Sequence, residues 1–412
     1  MTDPQEPTPP VRAHPAAVAD ATLRRLLAQI EPIGRDARTG GYQRLAYSGP
    51  ELELRDWFAG EADARGLDVH EDRAGNLWAW LGGPGDGDAV VLGSHLDSVV
   101  QGGAFDGPLG VVSAFAAVDA LRAPGSSPRR PVAIVAFADE EGARFGVACG
   151  GSRLLTGQLD ADRARSLTDD RGVSMAEALR ASGRDPARLG PDPELAGTVG
   201  VFVELHVEQG RGLADMGAAV GVGGAIRAHG RWRFDLAGRA DHAGTTRLED
   251  RDDPMLRQAR LVLAARDAAA RCGGVATVGK VAVEPGGVNA IPSRVQAWLD
   301  ARADDPDTVR AIVSEVARAA GADAIEESWT PRVELDAALR TRVAACVDGA
   351  PILTTGAGHD AGILAIAGIP TAMLFVRNPT GVSHAPDEHA ELVDCLAGVA
   401  ALTSVLEELA CR

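Results

Sequence analysis

Five side chains able to bind a divalent cation stand where apolar runs break into glycine-rich turns. His95 closes the run that begins at Val90, and Asp106 lies among the small residues of GGAFDG. Asp139, Glu140 and Glu141 follow the apolar stretch Ile134–Ala138, His206 follows VFVEL, and His384 ends FVRNPTGVSH. Three consecutive acids at the end of a buried strand are electrostatically costly unless a cation is near. Imidazole and carboxylate are the ligands of catalytic zinc-type centres. A carboxylate has two oxygens, so Asp106 can bridge two ions. One ion then takes His95, Asp106 and His206, and the other takes Asp106, Glu141 and His384. Three protein ligands each leave a position for water, as metal-assisted hydrolysis requires. Two divalent ions against two carboxylates leave a centre of roughly +2, which attracts an anionic substrate. Neighbouring residues of an extended chain point to opposite sides, so Glu140 and Glu141 divide the work between metal and reacting water. Asp97, two residues beyond His95, is placed to accept the other ring N–H of that histidine. Each residue alone also has a plain structural reading. Asp106 caps a helix starting at Gly107, the acids form a solvated loop, and His206 is a satisfied core histidine. Four strand ends that all carry His or Glu make coincidence a poor account.

The elements that must hold these residues read as an α/β chain. Apolar runs at Ala89–Leu92, Pro131–Phe137, Val199–Leu205 and Thr371–Val376 alternate with helical stretches, the pattern of a mainly parallel, mixed sheet covered by helices. Sites in such sheets lie beyond the carboxyl ends of the strands. The helical stretches include Ala21–Ile33, Ser48–Arg65, Gly107–Leu121 and Glu388–Leu409. Between them the rhythm changes to a β-α-β-β-α-β order, with helices expected at Met255–Arg271 and Pro306–Ala320 and strands at Trp232–Leu236, Val275–Glu284 and Ser293–Ala303. The expected organisation is a disordered lead over 1–17, a discontinuous catalytic domain over 18–222 and 339–412, and an inserted α+β two-layer sandwich over 223–338.

Composition narrows the function classes. With 412 residues the chain is too long for one compact core. Its formal net charge of -17 provides no basic stripe, so nucleic acid is not an expected partner. The five cysteines are scattered and lack CxxC spacing, which argues against a disulfide framework or a zinc knuckle. The Pro-rich, acidic start has no signal-peptide pattern and no stretch has the length of a membrane span, so the expected location is the cytoplasm, without membrane attachment.

The motifs GSHLDSVVQGGAFDGPLGV, ADEEGARFG, HVEQG, GRADHAGTT, GGVNAIP, TGAGHDA and GVSHAPDE occur in that order from about residue 20 to the end. Together they resemble the metal-dependent amidases that include allantoate amidohydrolases, N-carbamoyl-L-amino-acid hydrolases and β-ureidopropionases. HVEQG resembles this branch, whereas related aminoacylases and dipeptidases carry an Asp-type ligand there. The resemblance implies a metallopeptidase-like catalytic domain with an inserted lid that also dimerises. It implies two divalent ions per subunit, zinc or manganese, with cobalt and nickel also suited to the ligands. Glu140 becomes the general base and Asp97 a catalytic-site residue. His242 matches an oxyanion-stabilising histidine that can come from the partner subunit of a homodimer. Gln209, Asn289, Arg302 and the Gly358 backbone match substrate-contact positions. Arg302 and Asn289 are expected to meet the substrate's carboxylate or amide, although a surface ion pair is an equal reading of Arg302. His359 and Asp360 read either as helix caps or as supports of the ligands. Arg211 and Arg247 stand where the family commonly has Pro. The expected substrate is a small anionic ureido compound. Allantoate is the first choice, because MLFVRNPTGVSHAP resembles the allantoate-type members and Arg377 would add a cation. N-carbamoyl-L-amino acids come second, and a peptidase or a non-catalytic binding protein is more remote.

Overall fold

A computed structural model of the chain describes residues 14–85, 88–122 and 127–412. Residues 1–13 of the expected lead lie outside the described residues. Residues 15–17 are helical, against expectation. The helix Pro15–Ile30 starts with Pro in its first turn, and the His14 ring accepts a bond from the Ala16 N–H. Among the described residues no helix is long and apolar enough to cross a membrane.

The chain divides into two compact units. Of the described residues, the first comprises those up to 224, 335–353 and 359–412, and the second comprises 225–334 and 354–358. Strands are numbered along the whole chain. The larger sheet contains β1 (Asp68–Glu71), β2 (Leu77–Leu81), β3 (Ala89–His95), β4 (Val132–Phe137), β5 (Val199–Val207) and β6 (Val220–Ile226). It also contains the late strands β13 (Val333–Glu334), β14 (Ile352–Thr355) and β15 (Thr371–Val376). Their order is β1-β2-β4-β3-β5-β15-β6-β13, with β14 also on β6. The pairs β3–β4, β3–β5 and β5–β15 are parallel. These four strands are buried almost throughout, as continuous apolar runs covered on both faces must be. The helix Pro108–Arg122 packs on β3 and β5 and against the helices Pro15–Ile30 and Leu392–Cys411. Because β3, β4, β5 and β15 run in one direction, their carboxyl ends share one edge. His95 is level with Phe137, and His206 with Phe375.

The second unit contains β7 (Ala228–Ala237), β8 (Asp241–His242), β9 (Val275–Glu284), β10 (Ala290–Ile291), β11 (Arg294–Ala303) and β12 (Ile325–Thr330). Four of them form an antiparallel sheet in the order β12-β7-β11-β9, and β8 and β10 make a separate short ribbon. Residues of β7 and β11 alternate between buried and half-exposed. The buried set packs on the helices Pro254–Cys272 and Pro306–Ala320, which is the expected split βαβ sandwich.

One charged cluster of the first unit gives a stability prediction. Glu61, in the helix Gly49–Asp63, takes a two-armed bond from Arg25 (2.7 and 3.0 Å) and one from Arg65 (2.6 Å). Burial works against its ionisation, but the two guanidinium groups outweigh it and lower its pKa from 4.5 to about 2. A carboxyl whose pKa is depressed by folding stabilises the fold above its unfolded value. That contribution is lost as pH falls from 4.5 towards 2. Glu61→Gln is expected to lower the thermal midpoint at pH 6 and to flatten its decline between pH 4.5 and 2.5. Parallel pH–midpoint curves for variant and parent would refute this.

Candidate metal centre

Four parallel strands deliver the candidate ligands of the first unit. His95 is the last residue of β3 and His206 the last but one of β5. Glu140 and Glu141 follow β4 after a turn at Asp139, whose φ is +51°. His384 follows β15 through a longer loop and also holds a left-handed backbone, with φ +55°. Non-glycine residues adopt that conformation at a cost, and such strain collects at functional sites. Gly107 explains the glycine of GGAFDG. Its φ is +84°, and a Cβ there would sit 2.4 Å from the His95 ring.

Asp106 stands at the middle. Its Oδ1 is 3.6 Å from His95 Nε2 and 3.2 Å from His206 Nε2. Its Oδ2 is 3.4 Å from His384 Nε2, and that nitrogen is 3.5 Å from Glu141 Oε2. Each oxygen of one carboxylate therefore faces a separate ligand set, and both sets cluster tightly enough to hold a cation. His95 Nδ1 is 3.0 Å from the Asp97 carbonyl, and His206 Nδ1 is 2.8 Å from the Val207 carbonyl. A carbonyl only accepts, so Nδ1 carries the proton in both neutral rings and the Nε2 lone pairs face Asp106. His95 Nε2 is buried and makes no hydrogen bond among the described residues. Ligand atoms about 2.1 Å from one ion lie roughly 3.4 Å apart at tetrahedral angles. The 3.4–3.6 Å gaps at His95 and His384 match that spacing and are poor for hydrogen bonds.

The charges lead to the same fit. Asp97, Asp106, Glu140, Glu141, Glu204, Asp360 and Glu388 are all buried here. Burial, reinforced by neighbouring carboxylates, pushes Glu140 and Glu141 above the usual carboxyl range. Asp106 goes the other way. The three imidazoles overcome its burial and hold it well below that range. So many buried acids around three histidines suit divalent cations. Glu140 Oε1 accepts the Cys149 thiol at 3.3 Å, and its Oε2 lies 3.7 Å from His95 Nε2. Gln209 Nε2 donates to Asp106 Oδ2 at 2.8 Å and lies 3.3 Å from His384 Nε2.

The candidates of the second unit form two groups. His242 in β8 is level with Ala290 in β10, and the Asn289 carbonyl accepts the Ala243 N–H, so His242 and Asn289 are neighbours. His242 Nδ1 accepts from the N–H groups of Gly244 (3.0 Å) and Thr245 (3.2 Å). The neutral ring therefore carries its proton on Nε2, as a donor. Arg302 lies near the far end of β11, level with His229. Its Nε and Nη2 bind Asp300 at 2.7 and 2.9 Å, and its Nη1 donates to the Gly356 carbonyl at 2.8 Å. Gly358 is close by, since a Cβ there would meet His229 Nε2 at 2.7 Å.

Residues 88–408 match the family model described as peptidase family M20/M25/M40. The chain belongs to this family. The M20 chain is 38% identical over 403 residues to an N-carbamoyl-L-amino acid amidohydrolase of Geobacillus stearothermophilus, covering 94% of this chain and 98% of that one. It is 34% identical to an allantoate amidohydrolase of Escherichia coli K12, covering 94% and 97%. The crystal structure of a hydantoinase/carbamoylase family amidase from Burkholderia vietnamiensis superposes with a TM-score of 0.87 at 30% identity, covering 95% of this chain and 98% of that one. The M20 chain is thus a hydrolase with the expected fold, in a family that uses divalent metal ions.

Several details of this M20 site differ from expectation. Asp97 takes the His95 ring N–H on its backbone carbonyl and not on its carboxylate, which is 3.6 Å from Nδ1. The two carboxylate oxygens accept the backbone N–H groups of Glu140 and Glu141 at 3.1 Å each, so they hold the acidic turn instead. Arg377 adds no uncompensated cation, because the buried Asp394 takes its fork at 2.8 and 2.9 Å. His359 precedes the helix Asp360–Ile366 without a capping bond from its side chain, and Asp360 accepts the Ser152 hydroxyl. A third cluster, Glu204 with His206 and His359, shares His206 with the centre. Its Glu204 oxygens already accept from Ser94 (2.8 Å) and the Ala361 N–H (3.1 Å), so it is a hydrogen-bonded support. Sequence reasoning missed Cys149 and Glu388. A lone cysteine carries little signal, and Glu388 falls at the expected start of the last helix, which begins only at Leu392.

Proposed function

We propose that this M20 hydrolase cleaves the carbamoyl C–N bond of a small carboxylate-bearing ureido compound, with an N-carbamoyl-L-amino acid as the preferred substrate. The division of the Asp106 oxygens between two ligand sets beside Glu140 carries the reading. His95, Asp106 and His206 would hold one divalent ion, and Asp106, Glu141 and His384 the other. Zinc or manganese suits these donors, and cobalt or nickel also fits. Such ions, when bound, polarise a carbonyl and lower the pKa of water. Glu140 then acts as general base, taking a proton on its carboxylate and passing it to the leaving nitrogen. The Cys149 thiol on Oε1 keeps Oε2 turned towards His95. His242 offers its Nε2–H to the oxygen that becomes negative in the tetrahedral intermediate. Gln209, Asn289, Arg302 and the Gly358 backbone supply contacts to the substrate.

The order of the two substrates differs from the sequence reading for a physical reason. A second cation at Arg377 was one ground for allantoate, and Asp394 neutralises it. The 34% identity to an allantoate amidohydrolase keeps that compound as the second reading.

The same proposal includes a homodimer. His242, level with Ala290, lies beyond the Arg294 end of β11, and Arg302 lies near the other end. Eight residues separate Arg294, level with Ala237, from Arg302, roughly 26 Å of extended chain. One small substrate cannot touch both in a single subunit, which supports a His242 supplied by a second copy. An edge fit for that copy is present. β9 pairs only with β11 among the described residues, and Leu256 and Leu263 form an exposed apolar stripe on the helix beside it.

The deciding measurement is turnover of N-carbamoyl-L-amino acids and allantoate, followed as ammonia release, and of dipeptides, followed as freed amino acid. It is run on protein stripped with a chelator and then reloaded with single metals. Turnover of ureido compounds is expected only after reloading. Turnover of dipeptides alone, or undiminished turnover after stripping, would overturn the reading.

A further inference from the structure

We propose that Glu388 is a positioning residue for the metal centre: its buried carboxylate locks the Asp106 turn to the loop that carries His384. Its Oε1 accepts two backbone N–H groups, from Phe105 at 2.8 Å and from Asp106 at 3.0 Å. Its Oε2 accepts the Ser383 hydroxyl at 3.2 Å, and that hydroxyl also reaches Asp106 Oδ2 at 3.1 Å. One carboxylate thus grips the backbone on which Asp106 is mounted and the residue next to His384. The grip acts on Asp106, the residue whose two oxygens face separate ligand sets.

The local sequence is built around this carboxylate. A Cβ on Gly103 would stand 2.2 Å from Glu388 Oε1 and 2.3 Å from its Cδ, so the turn admits Glu388 only because residue 103 is glycine. The backbone of Gly103 has no other need evident here, since its φ is not in the left-handed region. Glu388 itself lies before the last helix, where residues 385–391 are irregular, and its side chain is turned inward and buried. Bonds from N–H donors to a charged acceptor are among the stronger ones in proteins. Losing this acceptor leaves two N–H groups of the Asp106 turn unpaired.

The inference rests on the metal-binding reading of the centre, and the experiment separates the two. Full-length protein is stripped, and Zn2+ affinity is measured by competition with a chromophoric chelator. Glu388→Ala is expected to weaken zinc binding by about 10–100-fold, as loss of an outer partner of a ligand does. Glu388→Gln is expected to remain within about threefold of the parent. Its amide oxygen can still accept both N–H groups, and its NH2 can donate to Ser383. Gly103→Ala, which crowds Glu388 out, is expected to match Glu388→Ala. The double variant should be no weaker than either single one, because both remove the same contact. If Glu388→Ala does not fold, Gly103→Ala is read against Glu388→Gln. Equal affinity in parent and Glu388→Ala, additive losses in the double variant, or a Gln variant as weak as Ala would each overturn the role of Glu388. A parent protein that binds no zinc would instead overturn the reading of the centre.

Discussion

Glu140→Gln is expected to lower kcat by about 10²–10⁴-fold, the usual range for loss of a general acid–base group. The change keeps the size of the side chain, and an amide oxygen can still accept the Cys149 thiol that meets Oε1. What disappears is the ability to take up a proton. Asp97 holds the turn through the backbone N–H groups of Glu140 and Glu141, so this grip does not depend on the side chain at 140. Metal content, measured by elemental analysis, is therefore expected to equal that of the parent, and KM to change little. A variant with kcat within tenfold of the parent and full metal content would exclude Glu140 as the base. A variant that loses metal as well as activity would make Glu140 a ligand.

The second large effect concerns His242. On the proposed reading His242→Ala removes a donor aimed at developing charge, and the expected loss is about 10²–10³ in kcat, as for comparable oxyanion donors. The more telling result comes from mixing. If His242 serves the site of its partner, a dimer of one Glu140→Gln chain and one His242→Ala chain contains one intact site. Two inactive variants, mixed at equal amounts and allowed to exchange, should then recover about a quarter of parental activity, because half of the dimers are mixed and each has one working site. If the histidine serves its own chain, the mixture stays as inactive as its components. Charge placed on the exposed stripe, as in Leu256→Glu with Leu263→Glu, should block recovery and give a monomer in light scattering.

Much of the architecture could be read from the residues alone. The runs at β3, β4, β5 and β15 are apolar at nearly every position, which is the mark of strands buried on both faces. Parallel strands bring their carboxyl ends to one edge, so the His and Glu residues after them had to meet. The alternation in β7 and β11 was equally plain. The groups that brace the site were harder to see. Asp97 binds backbone N–H groups 43 and 44 residues away, and backbone donors leave no mark in a sequence. The spacing of Asp97 from His95 points to a ring contact, which the Asp97 carbonyl makes while its carboxylate turns to the neighbouring acidic turn. Glu388 looked like the start of a helix because acids are common in a first turn. Its partners at 105 and 106 lie in a distant part of the chain. Arg377 looked available because its partner, Asp394, is 17 residues on and buried. Which candidates of the second unit share an end of its sheet depends on strand register, which periodicity alone does not fix.

The bond from Ser383 to Asp106 spans 277 residues, and the whole of the second unit lies inside the loop it closes. Closing so long a loop is entropically unfavourable until the contacts within it have formed, and folds rich in such distant contacts form slowly. During synthesis the turn at 105–106 leaves the ribosome well before the residues that secure it. At about 5–20 residues per second, the interval is on the order of 14–55 s. Late in that interval a nascent chain has His95, Asp106, Glu141 and His206 but neither His384 nor Glu388. The complete candidate ligand set is therefore a property of the finished polypeptide, and on the proposed reading of the centre ion acquisition becomes a late step in its maturation.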